Sequence, residues 1–402
     1  MITVSEAINI ILSECGSVPS EEVALADVVG RILAADIVAD VDLPPFDRSQ
    51  MDGFAVIAAD TTNAPVTLKI VGESAAGHGW HQELHGGQAV RIMTGAPVPQ
   101  GADAVQKVEL TNERVTTDNL PFVEILELTK IGSNIVRRGS EVESGRIVLN
   151  RGEAVTQNMI AAIASFGYAR VKVAKRPRVG ILATGSEIVD VAEKPGRDQI
   201  RNSNSIMLKT LAEKCGAVAE TFPIAGDEIS NLKSQIRSAA KNKDILIITG
   251  GVSVGKYDLT KPALLELGAE IFFEKVSLKP GKPTVFATLN NKLVFGLPGN
   301  PVSAAVTFEL FVRPALMRLQ GASATQLRSG TAKLATGVKA AKDRDTYLPA
   351  SLDTDATGSL IATPLKWQGS SDFIGFARAD ALIFVPNGRE INAGDVATVL
   401  FL

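Results

Sequence analysis

RVGILATG at residues 178–185, DILIITGG at 244–251 and KLVFGLPGN at 292–300 are three apolar runs that each break at glycine. Between them lie NSIMLKTLAEKCG (204–216) and NLKSQIRSAAKNK (231–243), whose apolar residues recur at helical spacing. Strands that read as unbroken apolar runs are buried on both faces, and strands alternating with helices pair in parallel. Residues 174–322 therefore predict an α/β domain on a mostly parallel sheet, closed by the helical run AAVTFELFVRPALMRLQG (304–321).

The pattern changes on either side. At the start, MITVSEAINIILSECG places Val4, Ala7, Ile8, Ile11 and Leu12 on one helical face and lacks the basic n-region of a signal peptide. VALADVVGRILAADIVADVDLPPFD (23–47) then alternates, and Pro44 and Pro45 force an extended connection, which sets a boundary near residue 45. From Met51 to Gly139 come short β-rich runs, FAVIA, TLKIVG, AVRIM, DAVQKVEL and FVEILEL, separated by turn residues. This predicts a small β domain over 46–140. Residues 141–173 return to a mixed pattern with VTQNMIAAIASFG as a helix, so the β domain reads as an insertion into a split domain formed by 1–45 and 141–173. After ASATQLRS (322–329), residues 323–402 read as a second, C-terminal β domain. The fold class is thus multidomain, α+β and α/β together.

Composition narrows the function. The 402 residues are 45% hydrophobic and 21% charged, with a formal net charge of -3, which lacks the basic excess of a nucleic-acid binder. No apolar run reaches the length of a membrane-spanning helix. Cys15 and Cys215 fit no metal-ligand spacing and no disulfide framework, so a reduced, cytoplasmic location is the expectation.

In an open parallel sheet, ligands bind where loops leave the carboxyl ends of the strands. Three such loops are legible. TGSEIV (184–189) offers Thr184, Gly185, Ser186 and Glu187; TGGVSVGKYD (249–258) offers Gly250, Gly251, Ser253, Gly255 and Asp258; GLPGNPVSA (296–304) offers Pro298, Gly299 and Asn300 ahead of Pro301 at a helix start. Small residues let a phosphate approach backbone amides. One glycine turn of this kind is common in proteins without a ligand, but three in one sheet shift the balance, and none matches the dinucleotide or P-loop fingerprints. EKVSLKPGKP (274–283) sets Lys275, Lys279 and Lys282 on a backbone stiffened by Pro280, Gly281 and Pro283. The inserted domain adds DRSQMDGFAV, with Asp47, Arg48, Ser49 and Asp52, and RIMTGAPVP, with Thr94 and Gly95. His78, His81 and His85 lie close together, but Gly77, Gly79, Gly86 and Gly87 make that segment a surface loop and not a metal site.

SQMDGFA, RIMTGAPVP, GILATGSEIV, NSN, GGVSVGKYD, KPGKP and GLPGNPVSA, in that order and spacing, resemble the molybdopterin molybdenumtransferase family, to which MoeA and the E domain of gephyrin belong. The resemblance spans nearly the whole chain. It implies a homodimer of four-domain subunits with a molybdopterin-binding α/β domain, and an active site in a cleft between that domain and the inserted β domain of the other subunit. It implies transfer of molybdenum from molybdate, a substrate, to adenylylated molybdopterin, with Mg2+ and release of AMP. Handover contacts with the molybdopterin-adenylylating protein and with molybdoenzymes follow from the same resemblance.

By motif match, Asp52, Thr94, Glu187, Asp227 and Asp258 would be catalytic, and Glu187, Asp227 and Asp258 would hold Mg2+. Lys275, Lys279 and Arg344 would hold molybdate, and the loop residues above, with Ser371, would bind the pterin substrate. Two departures stand in the C-terminal domain: Pro349 occupies the place of the family's second basic residue in KDRDTYLPA, and Trp367 that of its histidine before QGSS. Two other readings use the same α/β domain: a molybdopterin adenylyltransferase, or a scaffold without catalysis. MDGFA and TGAP favour metal insertion over the first, and retention of the acidic and lysine residues argues against the second.

Overall fold

The computed structural model describes residues 1–115, 120–226, 228–251, 259–366 and 369–402. By their contacts they divide into two compact units, one of residues 1–35, 151–157 and 170–402, the other of residues 36–150 and 158–169.

The first unit is built on a six-stranded sheet. Its order is Val218–Thr221, Arg178–Ala183, Ile245–Thr249, Lys292–Leu297, Val285–Leu289 and Glu270–Phe273. The first four strands are parallel and only Val285–Leu289 runs against them, pairing antiparallel with both its neighbours, so the sheet is mostly parallel, as the apolar runs predict. Side chains along Ile245–Thr249 explain the lack of polar alternation. Ile245 and Ile247 enter one buried cluster with Leu208 and Ala212 of helix Ser203–Lys214, while Leu246 and Ile248 enter another with Leu232 and Ile236 of helix Ile229–Ala240. Because successive strand residues face opposite ways, a strand covered by helices on both sides needs an apolar residue at every position. Helix Val4–Glu14 packs in the first of these clusters through Val4, Ala7, Ile8 and Ile11. Its start is fixed by a capping box in which Thr3 and Glu6 exchange hydrogen bonds with each other's backbone N–H.

The same unit carries a closed five-stranded barrel. Asp345–Thr354, Leu360–Pro364, Ser329–Leu334, Val396–Phe401 and Ala381–Val385 pair in that order, and the last pairs back to the first. A short strand of the α/β region, Leu278–Lys279, adds in parallel to Asp345–Thr354, setting Leu278 against Asp345 and Lys279 against Thr346.

The second unit holds a six-stranded sheet ordered Ala104–Lys107, Gly53–Val56, Gln88–Ile92, Val66–Ser74, Pro121–Ile125 and Thr111–Val115. Phe54 and Val56 pack with Leu68 and Val123 on one face, and Ala55 packs with Val90, Ile92 and Val105 on the other. The run DAVQKVEL is strand only to Lys107. The Val108 N–H still donates to the Asp52 carbonyl at 2.9 Å, the next pair in register, but Val108–Leu110 then forms a 3-10 turn closed by the Thr111 N–H on the Val108 carbonyl. Ile37–Val38 pairs with Ile147–Leu149 and Arg48–Ser49 with Ile135–Val136, so the chain enters and leaves this sheet through neighbouring segments.

Candidate functional site

The three glycine loops leave adjacent parallel strands at one level and are tied together there. The Thr184 N–H donates to the Thr249 carbonyl at 3.0 Å and the Gly250 N–H to the Leu297 carbonyl at 3.1 Å. The Asn204 amide donates both to Thr249 Oγ1, at 2.9 Å, and to the Gly299 carbonyl, at 2.8 Å, while Thr249 Oγ1 donates to the Pro298 carbonyl at 3.1 Å. Glycine is required by this closeness. Gly250 has φ +93°, and a Cβ on it would lie 2.5 Å from the Thr184 carbonyl oxygen. Thr184, Gly185, Gly250, Gly251, Pro298, Gly299 and Asn300 thus line the carboxyl edge as expected. Ser253, Gly255 and Asp258 lie outside the described residues, as does Asp227. Asn204 and Thr249 carry the linkage without having been assigned a role from sequence. The signal for Asn204 was present in the NSN motif.

Beside the third loop is a cleft of about 560 Å3, lined by Lys279, Lys282, Lys339 and Arg344 together with Asn300 and Ser370. Its construction follows from the strand pairing. The short strand at Leu278–Lys279 draws the start of Asp345–Thr354 alongside it, which delivers Arg344 to the lysines. Gly281, at φ +113°, packs so closely on Thr307 that a Cβ would come within 2.4 Å of its methyl group, which fixes the KPGKP turn against the helix behind it. Asn300 Nδ2 donates to Ser370 Oγ at 2.8 Å and the Val302 N–H to the Ser370 carbonyl at 3.1 Å. Among the described residues, no acidic one lines the cleft. Glu390 accepts from Lys339 at 2.7 Å and Asp343 from Arg344 at 3.1 Å, both at exposed positions where screening is strong. The lining therefore favours an oxyanion, with an arginine fork to bind it.

Of the residues expected to face an oxyanion, Lys279 and Arg344 are here and Lys275 is not among the lining residues. Lys339 and Lys282 join them. Ser370 holds Asn300, while Ser371 accepts from the Phe373 N–H at 3.0 Å in the next turn. Pro349 stands in the barrel strand opposite Leu382, and Trp367 lies outside the described residues.

Glu187 turns back over the first loop, its carboxylate within 2.6 Å of where a Cβ on Gly185 would stand. The Thr184 hydroxyl is buried there and has no hydrogen-bond partner. Both are hard oxygen donors, the chemistry Mg2+ takes.

In the second unit, Asp52 and Thr94 meet. Asp52 Oδ1 accepts from the Thr94 N–H at 2.6 Å and from Thr94 Oγ1 at 2.8 Å. The backbone bond first, and the hydroxyl second, hold the Asp52 carboxyl below its ordinary range, so it is ionised at neutral pH. Gly53 beside it admits no other residue, since a Cβ would sit 1.9 Å from the Gln106 carbonyl oxygen. Asp47, also below its ordinary range despite burial, accepts from the Arg138 N–H at 2.8 Å and the Arg137 side chain at 2.5 Å. The segment with His78, His81 and His85 is irregular, with positive φ at Gly77 and Gly87. Burial pushes the Cys15 thiol up to about 12 and Cys215 to about 11, which removes both as nucleophiles at neutral pH.

Sequence comparison places these features among known proteins. A family model for the MoeA N-terminal region (domain I and II) matches residues 2–167, one for a probable molybdopterin-binding domain matches 180–318, and one for the MoeA C-terminal region (domain IV) matches 331–402. The molybdopterin molybdenumtransferase of Bacillus subtilis (strain 168) is 37% identical over 100% of this chain and 94% of its own length. That of Staphylococcus aureus (strain COL) is 35% identical over 99% and 95%. The crystal structure of the molybdopterin biosynthesis moeA protein from Pyrococcus horikoshii OT3 superposes with a TM-score of 0.86 at 29% identity, covering 100% of both chains.

Proposed function

The chain belongs to the molybdopterin molybdenumtransferase family, and from that premise we propose that it inserts molybdate into adenylylated molybdopterin, releasing AMP in a Mg2+-dependent reaction to give molybdenum cofactor. The observation that carries this reading is the cationic cleft, because it shares Pro298 and Asn300 with the third glycine loop. An oxyanion in the cleft and phosphates on the loops are then neighbours. Lys279, Lys282, Lys339 and Arg344 offset the charge of molybdate and orient its oxygens. The glycine loops bring backbone amides to the pyrophosphate, and Asn204 keeps the second and third loops in register.

Glu187 would hold Mg2+ with Asp227 and Asp258, and the bound ion would offset charge on the pyrophosphate at the bond that breaks. We assign Asp52, fixed as an anion by Thr94, to the same reaction. The protein is proposed to act as a homodimer in the cytoplasm, receiving substrate from the molybdopterin-adenylylating protein and passing product to molybdoenzymes. Two free thiols support a reduced compartment, and among the described residues no helix is long and apolar enough to cross a membrane.

The test is to incubate the purified protein with adenylylated molybdopterin, MgCl2 and molybdate, and to follow AMP release together with reconstitution of a cofactor-free molybdoenzyme. Molybdate-dependent AMP release that accompanies active cofactor is the expected result. Turnover that requires ATP and unmodified molybdopterin would assign the preceding adenylylation instead, and binding without turnover would leave a scaffold.

A further inference from the structure

The cationic cleft carries counter-ions on its rim. Lys279, Lys282, Lys339 and Arg344 line it, and two carboxylates outside the lining, Glu390 and Asp343, pair with two of these cations, which leaves the group formally two charges positive. That matches the charge of molybdate with opposite sign.

The two pairs differ in what they occupy. Asp343 accepts from Arg344 Nε at 3.1 Å and not from the terminal nitrogens, so a two-pronged contact with an oxyanion stays open to the guanidinium. Glu390 engages the whole charge of Lys339. Its Oε2 accepts from the ammonium at 2.7 Å, and a lysine has a single point charge to share.

The backbone builds this pair in. Val338–Lys339 and Glu390–Ile391 form an antiparallel ladder, with Lys339 opposite Glu390 and Val338 opposite Ile391. The Ala340 N–H donates to the Arg389 carbonyl at 2.9 Å and the Gly388 N–H to the Ala341 carbonyl at 3.1 Å, which clamps the residues beside them. Neighbouring strand residues face opposite ways, so Val338 and Ile391 pack into the barrel core and turn Lys339 and Glu390 outward together. The carboxylate is anchored beside the lysine, yet both side chains are well exposed and their bond is weak enough to exchange.

Lys339 therefore stands between Glu390 on the rim and an oxyanion in the cleft. We propose that Glu390 competes with the oxyanion for Lys339 and so holds the affinity for molybdate down, letting the metal be passed on instead of retained. A site that delivers its ligand gains nothing from tighter ground-state binding, which lowers KM without raising kcat. Glu390 acts through Lys339 and is a positioning residue. The proposal rests on the transferase reading for the identity of the oxyanion and its onward transfer.

Glu390→Gln keeps the size of the side chain and removes its charge. Calorimetric titration of the full-length protein with molybdate should show binding about two- to fivefold tighter than in the wild type, the range an exposed ion pair can supply, with melting temperature unchanged. Lys339→Ala should bind molybdate several-fold more weakly, and in that background Glu390→Gln should no longer tighten binding. In steady-state turnover, Glu390→Gln should lower KM for molybdate and kcat together, with their ratio nearly unaltered. Three results would overturn the proposal: no molybdate binding by the wild type, affinity unaltered in Glu390→Gln, or equal tightening with and without Lys339, which would be a general field effect and not competition for one ammonium. A kcat raised in Glu390→Gln would overturn it as well. The transferase reading fails separately. Affinity unaltered in Glu390→Gln, in a protein with molybdate-dependent AMP release, removes the role of Glu390 and keeps the transferase. Lys339-dependent tightening, in a protein that releases no AMP from the substrate, keeps the competition for Lys339 and removes the transferase.

Discussion

Asn204 holds two loops with one amide group. Its Nδ2 reaches Thr249 Oγ1 and the Gly299 carbonyl from the first turn of helix Ser203–Lys214, and the residue is buried. Removing it leaves two acceptors facing each other without a donor, and a buried unsatisfied polar group costs about 1–3 kcal/mol. Asn204→Ala should lose that amount in urea unfolding. Asn204→Asp keeps the shape but sets a carboxylate against the same two oxygens, so it should lose more than the alanine variant. Equal stabilities for aspartate and asparagine would show that the amide is not what joins the loops. A single sequence shows NSN as three polar residues, one of which has another duty: Asn202 caps the helix by accepting from the Ser205 N–H. Only the fold distinguishes the third.

At the scale of elements, the helix after the third loop is not uniform. Pro301–Thr307 is α, Phe308–Val312 is a π turn, and Arg313–Leu319 is α again. Pro314 accounts for the irregularity, since it has no N–H to offer a carbonyl one turn back, and the Arg313 N–H reaches Phe308, five residues away. The π turn carries Glu309 into the interior at 4% exposure, where its Oε2 has no hydrogen-bond partner. Burial raises its carboxyl above the ordinary range, only partly countered by Arg313 and Lys214. The folded state therefore holds this proton more tightly than the unfolded chain. Glu309 contributes most below its unfolded value, and that contribution is lost as pH rises through the folded value. Glu309→Gln, which cannot ionise, should be more stable than the wild type at pH 8, and the difference should shrink at pH 5. Thermal melts at both values decide it. A glutamine variant less stable at pH 8 would mean that Glu309 is ionised and paired with Arg313.

Some of these elements were legible and others were not, for physical reasons. The strands 178–183, 245–249 and 292–297 announce themselves because burial on both faces leaves almost no polar position, and Gly250 because the adjacent loop at Thr184 leaves no room for a side chain. Asp52 and Thr94 were readable as motif residues, and their mutual hydrogen bond was not. The cleft was half legible. Lys279 sits in a proline-stiffened turn, but Lys339 and Ser370 join it only through the closure of the barrel and its pairing with Leu278–Lys279, which local periodicity does not encode. Pro349 and Trp367 cast doubt on the C-terminal domain from sequence, whereas Arg344 from that domain lines the cleft.

Within the larger unit, the barrel and the α/β region share one core. Tyr347 and Leu382 belong to the same buried cluster as Phe286, Phe295 and Phe311, and Phe384, Leu400 and Leu402 pack against it. Tyr347 is 6% exposed and its ring lies 5.2 Å from that of Phe384. It does not line the cleft, yet it follows Thr346, which does, in the strand that begins just after Arg344. Anchoring and oxyanion binding should therefore be coupled through this strand. Tyr347→Ala should cost roughly 3 kcal/mol, as truncating a large buried aromatic does, and should also weaken molybdate binding several-fold by loosening the position of Arg344. Arg344→Ala, by contrast, should weaken molybdate binding about tenfold with little change in stability, because its guanidinium faces the cleft and not the core. Calorimetric titration with molybdate, beside urea unfolding of both variants, separates the two effects. If Tyr347→Ala loses stability but binds molybdate like the wild type, the barrel supports the fold without positioning the cleft, and Arg344 is held by the KPGKP side alone.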